Sequence, residues 1–143
     1  MKVLIFLEKN ILQPKTLEPR EVLRKKLAKW IENGVEMEFI TGISKFLDLK
    51  KANESLKKMD VDSPVVHSKQ NDKDFIDLVK KISPDVLIEN VDSLDSEQTV
   101  CSKLENSDDI DTFGMLISDP KEILDMPDTP DKLKAVLPKE QKN

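Results

Sequence analysis

Glycine is scarce in this chain. Gly34, Gly42 and Gly114 are the only three in 143 residues, and none opens a GxGxxG or GxxxxGK[ST] loop. Those loops need a close backbone approach that side chains block, so dinucleotide and P-loop nucleotide binding are excluded. Cys101 is the single cysteine and His67 the single histidine. One cysteine forms no intramolecular disulfide, so a reducing compartment, the cytoplasm, is expected. The same pair rules out a zinc centre of the Cys/His kind. Arg20 and Arg24 are the only arginines, which leaves almost no bidentate clamps for phosphate or carboxylate. A surplus of cations is also missing. The formal net charge of −5 excludes broad nucleic-acid binding, which requires a basic face. No apolar run approaches the roughly 20 residues of a membrane span. Met1 to Leu7 has one basic residue and a very short apolar stretch, so it reads as a first strand and not as a secretory signal.

What is present is an alternation of strand and helix signals. Residues 3–7 (VLIFL) form the continuous apolar run of a central parallel strand. Pro19 suits a first helical turn, followed by Val22, Leu23, Leu27, Trp30 and Ile31 on one stripe and by an Asn33-Gly34 stop. Residues 35–40 (VEMEFI) read as a second strand ended by Thr41-Gly42, and a helix over 44–58 carries Phe46, Leu49, Ala52, Leu56 and Met59. Pro64 to His67 reads as a short third strand near an edge. A clean amphipathic helix follows over 72–82, then a fourth strand at Val86-Leu87-Ile88. Ser93 or Asp92 is expected to cap a helix bearing Leu94, Cys101 and Leu104. A fifth strand covers 113–117, and Asp119-Pro120-Lys121-Glu122 has the form of a capping box. Residues 1–124 read as one domain. Residues 125–143 read as a loosely attached, charged, proline-containing tail with one short helix around Leu133, Val136 and Leu137. The expected fold is a three-layer α/β/α Rossmann-like sandwich on a mainly parallel five-stranded sheet.

In such folds ligands bind beyond the carboxyl ends of the strands, where strand order reverses. Those ends carry Glu8, Lys9 and Asn10, then Thr41 and Gly42, then His67, then Glu89, Asn90 and Asp92, and finally Asp119. Lys9, Asn10, Thr41, Gly42, Glu89 and Asn90 are therefore the candidate ligand-binding residues. Glu8, Glu89, Asp92 and Asp119 are weighed as a magnesium or calcium set. Helix caps and solvated side chains are the favoured account of them, so no metal or cofactor is expected. His67 lacks an evident partner in the sequence and is expected to have no catalytic role.

The pieces VLIFLEKNIL at 3–12, FITG at 39–42 and PDVLIEN at 84–90 together resemble the haloacid dehalogenase superfamily of aspartate-nucleophile phosphohydrolases, in its minimal uncapped form. The resemblance covers residues 2 to about 119. It implies that the nucleophilic aspartate falls on Leu7 and the acid-base aspartate on Lys9. Leucine has no atom to attack phosphorus, and lysine brings no carboxylate to a metal. The resemblance places at Thr41 the hydroxyl that holds a phosphoryl group, and leaves Lys69 or Lys73 for the family's lysine. Glu89 and Asn90 match its fourth motif in position. It thus implies a binding or scaffold protein without phosphohydrolase activity. The partner would be another protein, a small phosphorylated ligand or a second copy as a homodimer. The alternative is an active, magnesium-dependent hydrolase using Glu8, Thr41, Lys73 and Asp92. A general Rossmann-like small-ligand module is a third option.

Overall fold

The computed structural model describes residues 1–68, 74–94 and 98–136. Val3 to Phe6 are wholly buried, and they make β1 (Lys2–Phe6) the central strand. β1 pairs with β2 (Glu36–Thr41) on one side and β4 (Val86–Asn90) on the other. β3 (Val66–Ser68) and β5 (Phe113–Ile117) form the edges. All pairings are parallel and the order is β3-β2-β1-β4-β5.

Alternation along the strands divides the core into two faces. Val3, Ile5, Phe39, Val86 and Ile88 cluster with residues of α1 (Arg24–Glu32) and α2 (Phe46–Lys58). Leu4, Phe6, Ile40 and Leu87 cluster with α3 (Phe75–Ile82) and α4 (Val100–Glu105). Phe6 and Phe75 meet edge to face at 5.2 Å. The three-layer Rossmann-like sandwich is therefore present, with a sheet that is parallel throughout. Strand order reverses between β1 and β4, the place where open α/β sheets bind ligands. Among the described residues no helix is long and apolar enough to cross a membrane.

Several local expectations are corrected. Pro19 does not start a helix. It forms an antiparallel bridge with Leu12, and helical winding begins as a 3-10 turn at Glu21–Leu23. The buried stripe of α1 and the 3-10 turn before it is narrower than the apolar pattern, since Val22 and Ile31 are 55% and 45% exposed. Phe46, expected on the apolar stripe of its helix, is the first residue of α2 and is 77% exposed. α4 starts at Val100 under a Thr99 cap, so neither Asp92 nor Ser93 caps it. α3 starts at Phe75 under an Asp74 cap. The expected start at 72 lies outside the described residues.

Residues 125–136 are not loosely attached. Met126 and Leu133 are buried in the α1 core cluster, and α5 (Pro130–Ala135) is capped by Thr129. The Trp30 indole donates to the Pro127 carbonyl at 2.8 Å, and Asn33 Nδ2 donates to the Asp128 carbonyl at 3.0 Å. The buried Lys26 ammonium donates to the Met126 carbonyl and meets Asp128 at 2.6 Å. The Met126, Pro127 and Asp128 carbonyls lie between the 3-10 turn and α5 and have no backbone donor among the described residues. The side-chain donors of α1 take them up.

Candidate binding site

The site is built from the chain leaving β1. Leu7 N–H donates to the Ile40 carbonyl at 3.0 Å, extending the pairing by one residue and burying Leu7 completely. The Leu7 carbonyl then accepts from Ile11 at 3.1 Å and Leu12 at 3.0 Å. That tight turn requires Lys9 to adopt a left-handed φ of 69°. A hairpin follows, closed by Gln13 N–H to the Glu18 carbonyl at 2.8 Å. It too contains left-handed residues, Lys15 at 70° and Leu17 at 59°. The hairpin and the ends of β1, β2 and β4 enclose a cleft of about 320 Å³, whose walls include Leu7, Leu12, Leu17, Ile43, Lys9 and Lys15.

Glu8 sits beside this cleft. Its Oε2 accepts the Gly42 N–H at 2.7 Å. Burial raises the Glu8 pKa above the ordinary glutamate value, while the Gly42 N–H and the Thr41 hydroxyl partly oppose that rise. Oε1 is buried without a hydrogen-bond partner among the described residues. Thr41 is itself wholly buried and its hydroxyl oxygen accepts from Ile43 N–H at 3.1 Å. A Cβ on Gly42 would lie 3.2 Å from Glu8 Oε2, a tight contact that the carboxylate would have to relieve by moving a few tenths of an ångström.

The remaining candidates are largely taken up by structural roles. Glu89 is wholly buried, and its two oxygens accept Val100 N–H at 3.0 Å and Cys101 N–H at 2.8 Å. It caps α4 from the strand, where a carboxylate complements the helix's positive end. Burial, and then the neighbouring Glu89 charge, push the Cys101 thiol far up, so Cys101 is an inert core residue. Asn90 Oδ1 accepts Asp92 N–H at 2.9 Å, and Asn90 N–H donates to Ser93 Oγ at 3.0 Å. Ser93 Oγ donates in turn to the Glu8 carbonyl at 2.8 Å, tying the ends of β1 and β4 together. Asn10 is wholly buried, with Nδ2 3.4 Å from the Ile88 carbonyl and Oδ1 unpartnered among the described residues. Asp92 is exposed. Asp119 caps the 3-10 turn at Pro120–Ile123 in a reciprocal box with Glu122.

Glu8, Glu89, Asp92 and Asp119 therefore do not converge as a metal set. Among the described residues no three His, Cys, Asp or Glu side chains do so. Lys9 forms no ion pair with them or with any other described residue. Lys69 and Lys73 lie outside the described residues. His67 has a partner that the sequence did not disclose, Glu38 Oε1 at 2.7 Å on the neighbouring strand. Burial tends to raise Glu38, but His67 and Lys2 outweigh it and hold the carboxyl below its ordinary value. This pair lies in the sheet, away from the cleft's lining.

Sequence reasoning missed the hairpin as a cleft wall. Its signal was present in the leucines that flank Pro14, since a purely solvated loop has no use for Leu12 and Leu17. No protein-family model matches the chain, and neither a curated protein nor a solved structure matches it.

Proposed function

We propose that the chain is a haloacid dehalogenase-like domain that acts by binding at the carboxyl edge of its sheet and does not transfer phosphoryl groups. One observation carries this reading: the Glu8 carboxylate takes the Gly42 N–H at 2.7 Å and faces the Thr41 hydroxyl. The resemblance assigns the Thr41 hydroxyl to a bound phosphoryl group, and an internal carboxylate already stands against it and takes the neighbouring amide. A phosphate arriving there would also meet a like charge. Leu7 and Lys9 support the same conclusion, because they supply neither a nucleophile nor a carboxylate for a metal. Among the partners considered, a small phosphorylated ligand is thereby disfavoured.

A second reading, a hydrolase using Glu8 as its acid, draws support from the burial that raises the Glu8 pKa. Magnesium-dependent hydrolysis of p-nitrophenyl phosphate by the wild-type protein and by Glu8→Gln separates the two. The binding reading expects turnover at the background of buffer plus magnesium from both proteins. Wild-type turnover that disappears in Glu8→Gln would establish the hydrolase instead.

A further inference from the structure

Of the non-glycine residues with positive φ, Lys9, Lys15 and Leu17 all line the same cleft. An L-residue in this conformation is disfavoured relative to glycine, and such strain concentrates at sites of function. The cleft's base is apolar: Leu7 and Leu12 are essentially unexposed, and Leu17 and Ile43 pack against the main core. Its carboxylates do not balance its cations in place. Glu8 is engaged with Gly42, and Asp92 lies in solvent. Neither Lys9 nor Lys15 has an ion-pair partner within 4.0 Å among the described residues. The volume of about 320 Å³ is at the small end of ligand pockets.

We propose that this cleft binds a small apolar carboxylate, with its hydrocarbon body against Leu17 and Ile43, over the buried Leu7 and Leu12, and its anionic head between Lys9 and Lys15. The inference rests on reading the carboxyl edge as a binding site. It does not require membership of any family. A carboxylate suits the site better than a phosphate ester because its single negative charge limits repulsion from Glu8 and Asp92.

The test uses isocaproate, its neutral amide, isoamylamine and inorganic phosphate, followed by thermal shift and by methyl resonances of Leu17 and Ile43. Isocaproate is expected to raise the melting temperature and move those methyls, with the amide and the amine at least roughly tenfold weaker and phosphate without effect on them. Lys15→Gly is the decisive variant. It removes one cation and relieves the left-handed φ of 70°, so it should be as stable as wild type or more so, yet bind isocaproate roughly tenfold more weakly. Lys9→Gln should weaken binding to a similar degree. Equal binding of the acid and its amide, preference for the amine, or no binding of isocaproate by folded wild-type protein would each overturn the proposal. A failure of the binding reading itself shows elsewhere, as phosphate-ester turnover by the wild-type protein.

Discussion

Glu8 and Glu38 are both partly buried glutamates, but their surroundings shift them in opposite directions. Glu8 loses more to desolvation than the Gly42 N–H and the Thr41 hydroxyl return, so its folded pKa stands above 4.5. A raised carboxyl contributes stability that is fully present below the unfolded value and is lost as pH rises through the folded one. Glu8→Gln should therefore gain stability relative to wild type as pH climbs from the acid range to neutrality, measured by urea unfolding at each pH. Glu38 is held below 4.5 by His67 and Lys2 in spite of its burial. Its contribution is present above the unfolded value and fades as pH falls through the depressed one, so the two residues tilt the stability curve in opposite senses. Glu89 should be the costliest of the acidic residues to lose. Glu89→Ala strands two buried N–H groups at the start of α4, and a loss of about 3 kcal/mol in urea unfolding is expected. That Leu7 and Lys9 bring no carboxylate to the end of β1 was legible in the sequence because it depends on residue type alone. The use of Glu8 was not, because its partner is 34 residues away.

At the scale of elements, residues 125–136 show where composition misleads. Prolines and charges give that stretch the look of a solvated tail. Yet Met126 and Leu133 are buried, and Lys26, Trp30 and Asn33 of α1 and its cap hold the intervening carbonyls. Nothing in the α1 sequence reveals that these donors are occupied, since an amphipathic helix explains Trp30 without them. Leu133→Ala should cost about 2–4 kcal/mol, with the denaturant slope unchanged if the native state stays compact. A loss below about 0.5 kcal/mol would mean the segment is not part of the folded unit. The hairpin after β1 teaches a similar lesson. Its left-handed lysines and leucine carry no glycine or asparagine signal, so its geometry was invisible until the strand ends around it were placed.

For the whole molecule, the legible part was the layering. Continuous apolar runs at 3–7 and 86–88, helical stripes between them and a short edge strand expected at 64–67, found at Val66–Ser68, sufficed for a parallel sandwich, because burial on both faces leaves little alternative. The layering also pointed to the carboxyl ends of the strands as the place for a ligand, without fixing that the order reverses between β1 and β4. It did not reveal how the groups there are spent, because hydrogen bonds such as Ser93 to Glu8 and Glu89 to α4 join elements whose relative placement only the folded chain defines.

The central claim is that the donors at the end of β2 are filled by the protein's own carboxylate. The Gly42 amide resonance reports this directly during a titration of the folded wild-type protein with phenyl phosphate and magnesium. The binding reading predicts that this resonance stays in place at ligand concentrations up to roughly 10 mM, well above ordinary phosphate-ester affinities. A saturable shift of the Gly42 amide would show that phosphate displaces Glu8, and would contradict the account.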